Sequence, residues 1–324
     1  MLGEALPHNS VLSRVWHGWR REILRGALLF SAVLVIGLVG MRLLGAFRVG
    51  WQSPFDLGGS GDRNWEEAFV WSGTLRPGMR VFIRNLNGPV TVDAAAGDSV
   101  FVVAERSWHR SDPEVVRVDV VPHPGGMTFC AMWEARESSC GPAGDYHVNG
   151  PKTNDVKVRF TVHLPRGVGV DVSTVNGAVD VEGVTAPVVA NTVNGKIQAE
   201  IVRGPFTAHT VNGGIDVGLD ALPAAATGTI ALETVNGSIT ADIARGVNAL
   251  IEASTVNGRI ESALAIVATG QTSSRKLAGQ VGHGGPRLTL RTVNGSVNLS
   301  AREGEGPAPV PSPPTPPRPP SPAR

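Results

Sequence analysis

The sequence predicts an all-β protein: a single parallel β-solenoid, or β-helix, with coils of about 18–24 residues, preceded by an N-terminal transmembrane helix. Three observations lead to this fold class. The tetrapeptide Thr-Val-Asn-Gly occurs six times, alternating apolar and polar residues follow the copies, and the stretch 26–41 contains sixteen residues without charge. Repeats with a period near twenty residues are typical of solenoids, in which each repeat forms one coil.

The Asn-Gly pairs predict one corner of each coil. The six glycines are separated by 18, 18, 24, 21 and 37 residues, and the longest interval contains a polar, glycine-rich stretch that predicts an excursion loop. Asn and Gly both tolerate positive φ and therefore favour turns. We expect the Asn side chains of stacked coils to form a hydrogen-bonded row. The residues of this predicted turn ladder are Asn176, Gly177, Asn194, Gly195, Asn212, Gly213, Asn236, Gly237, Asn257, Gly258, Asn294 and Gly295.

Strands are predicted on both sides of each corner. The second residue after each glycine is β-branched and apolar, as at Val179, Ile197 and Ile215, and the next residue is polar. This alternation predicts a strand with one buried face. An isolated hairpin would also use Asn-Gly, and its strands would pair antiparallel. Six copies at regular spacing favour parallel pairing between coils, because like residues stack only when the coils lie in register.

The N-terminal part predicts a membrane segment. Residues 24–47 are long enough to cross a hydrocarbon core of about 30 Å, with Arg42 reaching towards the interface. Four arginines precede the uncharged run 26–41 and favour a cytoplasmic N-terminus. The alternatives are a cleaved signal peptide, for which no small-x-small cleavage site is obvious, and a buried helix. The predicted organisation is a cytoplasmic segment 1–24, a signal anchor 25–47, a linker 48–75, a solenoid domain 76–300 and a disordered Pro-rich tail 301–324.

The tail is dominated by proline from about Gly304 onwards. Such a segment has few side chains to bury, so the composition predicts disorder or polyproline II structure. Two roles remain open at this point. The tail can be a ligand for a proline-recognition module, or it can be a passive spacer.

Cys130 and Cys140 are the only cysteines in the chain, and we predict a disulfide bond between them, as suits a protein outside the cytoplasm. A zinc site is disfavoured because His147 is the only histidine nearby and the sequence has no Cys-x-x-Cys motif. We predict no metal site and no cofactor.

The composition and the motifs of the sequence argue against several classes of function. The net charge of +1 gives no electrostatic case for binding nucleic acid. An outward column containing Asp180, Asp216 and Glu261 could bind a cation or a basic glycan, and the alternative is an ordinary solvated face. The threonines of the motif, such as Thr210, resemble an ice-binding row only superficially. The sequence has no GxSxG, HExxH or P-loop motif, so we predict no catalytic residues.

The repeats resemble the DUF4097 family, the putative-adhesin β-solenoid domains of bacterial envelope proteins. The resemblance rests on LRPGMRVFIRNLNGPVTVDAAAGDSVFVVAE, on VRFTVHLPRGVGVDVSTVNGAVDV and on the Thr-Val-Asn-Gly series, and it covers about 225 residues. It implies a parallel β-solenoid, often tethered to a membrane, without established catalytic residues. The segment from Cys130 to Lys152 departs from the simplest form of the family pattern.

We therefore predict a non-enzymatic, single-pass protein of the bacterial cell membrane, with its solenoid domain outside the cytoplasm, acting as an adhesin-like binding or structural scaffold. Its expected partners are the membrane, through the N-terminal helix, and an envelope protein or glycan. One alternative is an accessory sensor or regulator of envelope stress, in which residues 1–25 meet a partner. A glycan-cleaving β-helix enzyme is the remote alternative.

Overall fold

Two large β-sheets dominate the structure. The computed structural model describes residues 65–133, 138–148, 154–220, 229–270 and 272–302, and the structural statements below concern these ranges. Two short 3-10 turns lie at Pro113–Val115 and Pro142–Gly144. The strands before the repeats are β1 Trp65–Gly73, β2 Arg80–Arg84, β3 Val90–Ala94, β4 Val100–Ser107, β5 Val116–His123, β6 Gly126–Trp133, β7 Ser139–Cys140, β8 Tyr146–His147 and β9 Lys157–Leu164.

The repeat region supplies the remaining strands. Each Thr-Val-Asn-Gly motif, together with the strand on either side of it, is called a rung. Rungs one to four are β10–β11, β12–β13, β14–β15 and β16–β17, rung five is β18–β19, and rung six is β22–β23. The bounds are β10 Gly169–Thr174, β11 Val179–Glu182, β12 Val188–Asn194, β13 Ile197–Val202, β14 Phe206–Asn212, β15 Ile215–Leu219, β16 Ile230–Asn236, β17 Ile239–Ala244, β18 Ala249–Asn257, β19 Ile260–Ser262, β20 Ile266–Ala268, β21 Lys276–Val281, β22 Arg287–Asn294 and β23 Val297–Arg302.

Each rung contributes one strand to each sheet. The strand order of the ten-stranded first sheet is β1-β4-β9-β3-β11-β13-β15-β17-β23-β19. The eleven-stranded second sheet has the order β20-β21-β18-β22-β16-β14-β12-β10-β2-β6-β5, and β7 pairs with β8 in a separate small sheet. At every Asn-Gly corner the chain therefore passes from the second sheet to the first.

The inward side chains of the two sheets form one hydrophobic core. Neighbouring rungs pair in parallel and in register, so that Val179 lies beside Ile197 and Ile197 beside Ile215. The alternation seen in the sequence places these β-branched side chains on the buried face of the first sheet, at 0 % exposure. Aliphatic and aromatic residues form equivalent rows in the second sheet, and burial of these rows is the main stabilising term of the fold.

The predicted fold class, one continuous parallel β-solenoid, is wrong. Both sheets are mixed and open, because antiparallel pairs flank the parallel rungs: β1 with β4, β4 with β9, β5 with β6, and β21 with both β18 and β20. The spatial order also departs from the chain order. Rung six pairs with rung four on one side and with rung five on the other.

The repetition of the motif explains how rung six can occupy this position. Every rung presents the same corner and similar apolar columns, so any two rungs make compatible neighbours, and sequence similarity does not fix their order. The long interval before the sixth motif supplies the freedom to return: β20 and β21 pair along the outer edge of β18, and the chain then comes back between rungs four and five.

No helix within the described ranges is long and apolar enough to span a bilayer. The segment predicted to do so, residues 25–47, lies outside those ranges, as do the predicted cytoplasmic segment 1–24 and nearly all of the tail. Strand β1 lies within the stretch 48–75 that the sequence predicts as a linker, and it forms one edge of the first sheet.

Candidate functional site

The asparagines of the six motifs form a continuous row of hydrogen bonds on the surface. Asn194 Nδ2 donates to Asn176 Oδ1 at 2.9 Å, and Asn212 Nδ2 donates to Asn194 Oδ1 at 2.8 Å. The row continues through Asn236, Asn294 and Asn257, with donor–acceptor distances of 2.7–2.9 Å. It therefore follows the spatial order of the rungs, with rung six inside rung five.

The motif glycines are required because the backbones of neighbouring rungs lie very close together, and not because the chain adopts an unusual backbone angle there. Positive φ occurs at nine described glycines, and none of these belongs to the six motifs. A Cβ added at Gly195 would lie 1.9 Å from the carbonyl oxygen of Gly177, and a Cβ at Gly213 would lie 1.9 Å from that of Gly195. The expectation from Asn-Gly turn chemistry therefore gives the wrong reason for this glycine, which is needed because the backbone of the neighbouring rung lies directly against it.

The threonines of the motif point inward and tie each rung to the next. Thr210 is 4 % exposed, and its hydroxyl donates to the carbonyl oxygen of Gly195 at 3.0 Å. Thr192 and Thr234 make the same bond to Gly177 and Gly213. These hydroxyls are unavailable to ice or to any other external ligand. The motif is thus a structural corner in which Thr, Asn and Gly each contact the neighbouring rung.

A disulfide bond fastens a loop across the outer face of the second sheet. Cys130 and Cys140 are bonded, with 6.0 Å between their Cα atoms. The segment that follows Cys140 covers Arg84, whose Nε donates to the carbonyl oxygen of Gly144 at 2.8 Å and whose Nη1 lies 2.8 Å from Asp171 Oδ1. Tyr146 donates its hydroxyl to the carbonyl oxygen of Ala131 at 2.7 Å, and burial raises the pKa of this phenol. Nothing in the local sequence distinguishes Arg84 as a buried residue.

We expect the double variant Cys130→Ser/Cys140→Ser to lose about 2–3 kcal/mol of unfolding free energy, because the short loop is no longer closed in the unfolded chain. Urea unfolding of the variant and of the unmodified protein measures the difference. Adding a thiol reductant should weaken the unmodified protein and leave the variant unchanged. Equal unfolding midpoints for the two proteins would contradict the expected role of the bond.

The outer face of the first sheet carries the predicted acidic column. Strand pairing places its members side by side, in the order Asp180, Gln198, Asp216, Thr240, Asn298 and Glu261. Asp216 forms an ion pair with Lys196, which also donates to Gln198. The three acids are thus not adjacent to one another, and no group of three or more His, Cys, Asp or Glu side chains in the described ranges could hold a metal ion.

A shallow cavity of about 280 Å³ interrupts this face beside Gly218. The absence of a side chain at Gly218 leaves a notch, and Arg302 crosses above it to an ion pair with Asp220. The lining contains carboxylate, amide, hydroxyl and guanidinium groups, so it offers both acceptors and donors to a polar ligand. The polar lining residues are Gln198, Glu200, Asp216, Thr240, Asp242 and Arg302.

The surroundings of Asp180 disfavour its ionised form. Partial burial raises its pKa and the nearby Asp93 carboxylate raises it further, while Lys196 opposes the shift. Such a carboxyl group has a higher pKa in the folded than in the unfolded state. It therefore lowers the free energy of unfolding as the pH rises through the folded-state pKa, and it has no effect on stability below the ordinary pKa. We therefore expect Asp180→Asn to raise the melting temperature at neutral pH, with a gain that vanishes in acid.

Thermal unfolding between pH 3 and pH 8 measures this dependence. Asp98→Asn, a substitution on an exposed turn, serves as the matched control and should leave the melting temperature unchanged at each pH. A gain for Asp180→Asn that is the same at every pH would contradict the electrostatic cause.

No family model matches the chain, and no curated protein matches it. Comparison with solved structures finds similar chains at very low identity and low TM-scores. A "putative cell adhesion protein" from Clostridium sporogenes has 8 % identity and a TM-score of 0.42, covering 73 % of this chain and 100 % of its own. A "putative adhesin" from Bacteroides fragilis has 10 % identity and a TM-score of 0.33, covering 73 % and 98 %.

A "putative lipid binding protein" from Parabacteroides distasonis has 9 % identity and a TM-score of 0.27, covering 74 % of this chain and 98 % of its own. The descriptions of these three proteins are of binding proteins and not of enzymes. At such TM-scores the likeness carries no functional argument for this chain.

Proposed function

We propose that this protein is a non-enzymatic binding scaffold of the bacterial cell envelope, and that the outer face of its first sheet binds an amine-bearing glycan. The observation that carries this proposal is the row of polar and acidic side chains repeated from rung to rung, with the notch at Gly218 beside it. Parallel strands place these side chains about 4.8 Å apart on a stiff sheet. A face of this kind suits a polymer whose cationic groups also repeat.

The charge of this face supports a cationic ligand. Acidic side chains are concentrated around the notch, where the basic groups Lys196 and Arg302 are already engaged by Asp216 and Asp220. On the neighbouring strand β9, Arg159 lies beside Glu105 and His163 beside Asp93. The remaining acids include Asp180 and Glu200. A positively charged sugar would find carboxylates that have few internal partners, and its hydroxyl groups would find Gln198 and Thr240 in the same cavity.

Two features support a location outside the cytoplasm. Disulfide bonds such as Cys130–Cys140 persist mainly in oxidising compartments. The uncharged stretch from Gly26 to Met41 supports attachment of the chain to the cell membrane. We propose that the two-sheet domain lies on the outer side of that membrane, where envelope glycans are accessible.

A His–carboxylate cluster on the second sheet suits structure better than catalysis. His209 Nδ1 lies 3.5 Å from Glu233 Oε2, and Arg291 Nη1 lies 3.3 Å from Glu233 Oε1. Hydrogen bonding from His209, together with the charges of His209 and Arg291, lowers the pKa of Glu233. A carboxyl group held ionised in this way is a poor general acid for glycoside cleavage, which requires a raised pKa.

Calorimetric titration with a chitosan hexamer, an oligosaccharide that carries free amines, tests the proposal on the full chain. We expect saturable binding that weakens with salt, and weaker binding by the variant Asp180→Asn/Asp216→Asn. The fully acetylated hexamer lacks the charge and should bind more weakly. Glu252→Gln, on the second sheet, is the matched control and should bind like the unmodified protein. Equal affinities for both hexamers, or no loss in the double variant, would contradict the proposal.

A further inference from the structure

The asparagine row ends at rung five, and the bonds at this end differ from those inside the row. Asn257 Nδ2 donates to Asn294 Oδ1 at 2.8 Å, while Asn257 Oδ1 accepts no hydrogen bond from the described residues. Inside the row each side-chain amide is held on both sides, as that of Asn212 is by Asn194 and Asn236. The side chain of Asn257 is therefore held by one bond, where an enclosed asparagine has two.

The backbone at this end differs in the same way. In four motifs the N–H of the glycine donates, at 3.0–3.1 Å, to the carbonyl oxygen of the next asparagine in the row: Gly195 to Asn212, Gly213 to Asn236, Gly237 to Asn294 and Gly295 to Asn257. Rung five is the last in the row, and within the described ranges the N–H of Gly258 has no acceptor. Gly258 is also exposed, whereas the other five motif glycines are half-buried.

The chain that follows rung five holds the two sides of this corner. The N–H of Thr255 donates to the carbonyl oxygen of Arg275 at 3.0 Å, and the N–H of Ile260 donates to that of Ser274 at 2.8 Å. These bonds take the place of a further rung on both flanks of the corner. The Asn-Gly pair between them remains exposed to solvent.

An asparagine followed by glycine can lose its side-chain amide in a reaction that needs only water. The glycine nitrogen, after losing its proton to a base from solvent, attacks Cγ of the asparagine. A C–N bond forms, and the amide nitrogen leaves as ammonia. Water then opens the resulting succinimide ring at one of its two carbonyl carbons, which gives aspartate or isoaspartate. Glycine favours the ring closure because no Cβ obstructs the approach of its nitrogen.

We propose that Asn257 is a site of this deamidation and that the stacked rungs protect the enclosed Asn-Gly pairs. For Asn212 to react, the nitrogen of Gly213 has to give up its bond to Asn236, and the Asn212 amide has to leave both neighbours in the row. The stack must first open locally, and the free energy of opening lowers the rate. Asn257 gives up a single side-chain bond, and its reacting nitrogen is already exposed.

The product changes the end of the row. An ionised carboxylate only accepts hydrogen bonds, so it cannot donate to Asn294 Oδ1 as the Asn257 amide does. Isoaspartate also adds a methylene group to the main chain. Each event lowers the formal net charge of +1 by one unit and loosens the corner of rung five.

Peptide mapping of the full chain by mass spectrometry, after incubation at mildly alkaline pH, tests the proposal. We expect Asn257 to deamidate at least about tenfold faster than Asn194, Asn212, Asn236 and Asn294 in the folded protein. In urea the rates should converge, because every pair is then exposed. Equal rates at Asn257 and Asn212 in the folded protein would overturn the proposal. A preference for Asn257 that persists unchanged in urea would trace it to the neighbouring sequence and would overturn it as well.

The remaining motif pair, Asn176–Gly177, is expected to react at an intermediate rate. The N–H of Gly177 makes no bond of the kind described above, but rung two lies against it, and Asn176 Oδ1 accepts from Asn194.

The variant Asn294→Ala tests whether the row itself protects. Asn236 then loses the amide that donates to its Oδ1 and should deamidate several-fold faster. Asn194, whose partners in the row are Asn176 and Asn212, is the internal control and should keep its rate. An unchanged rate at Asn236 would contradict protection by the row. Neither measurement involves the outer face of the first sheet, so the result is independent of the proposed glycan binding.

Discussion

Replacing Gly213 with alanine is expected to destabilise the protein by about 3 kcal/mol or more and to disrupt the pairing of rungs two and three. The added Cβ would lie 1.9 Å from the carbonyl oxygen of Gly195 and 2.6 Å from its carbon. Both are backbone atoms of a paired strand, so no flexible side chain can move aside. The rungs would have to separate locally, which would weaken the Thr210 and Asn212 bonds that join the same two rungs.

Gly97→Ala is the matched control for this substitution. A Cβ at Gly97 meets nothing within 4 Å, and its φ is not positive. The control should therefore be neutral or slightly stabilising, since alanine restricts the unfolded chain. Urea unfolding gives the two free energies, and hydrogen exchange locates the loss. A change below about 1 kcal/mol for Gly213→Ala would show that the close approach of the glycines does not limit the stack.

The substitution Phe206→Ala should cost about 3–5 kcal/mol, the usual range for removing a fully buried phenylalanine. Phe206 is 0 % exposed and begins β14, where it lies between Val188 of rung two and Ile230 of rung four. The neighbouring strands are paired on both sides and cannot collapse into the space that the ring leaves. A large cavity should therefore persist in the centre of the second sheet.

Phe101→Ala makes the same chemical change on the solvent side of the first sheet, where the ring is 44 % exposed. We expect it to cost less than about 1 kcal/mol. Thermal and urea unfolding of both variants measure the contrast. Similar losses at the two positions would mean that Phe206 is not enclosed by the rungs on either side.

The strands of the repeats could be predicted because the controlling physics is local. Period-two alternation after each glycine, as at Val179 and Val181, depends only on which face of a strand is buried. The same local reasoning marks the Asn-Gly corners. Local reasoning explains the glycine by the turn conformation. The glycine is in fact required for backbone contact between rungs, and a turn motif does not reveal that contact.

The order of the rungs could not be predicted from the sequence. Rung six pairs with rung four through Leu232 and Leu290, and with rung five through Ala253 and Leu290. Chain order would place Leu232 beside Ala253, and both arrangements bury aliphatic side chains against each other.

Rung six does form ion pairs with both neighbours, Arg291 with Glu233 of rung four and Arg287 with Glu252 of rung five. Exposed pairs of this kind contribute little free energy, and they cannot be recognised before the rungs are aligned. The excursion through β20 and β21 therefore has no signature that fixes the order.

The candidate sites show the same difference between what local sequence reveals and what depends on long-range pairing. The residues of the motif and the two cysteines could be singled out by repetition and by compartment chemistry. The notch at Gly218 and the burial of Arg84 arise only after distant parts of the chain pack together, because Arg302 reaches Asp220 across β17 and Gly144, in the segment after Cys140, reaches Arg84. Neither contact has a signature in the local sequence.

Three pairs of cysteines on the asparagine row test the arrangement of the rungs most directly. Neighbouring rungs place equivalent Cα atoms about 4.8 Å apart, within the range of a disulfide, and rungs separated by one other lie about 10 Å apart, beyond it. The structure predicts that Asn236→Cys/Asn294→Cys and Asn294→Cys/Asn257→Cys close under mild oxidation, while Asn236→Cys/Asn257→Cys does not. Efficient closure of the 236–257 pair, with no bond in the 236–294 pair, would show that the rungs stack in chain order and would contradict this architecture.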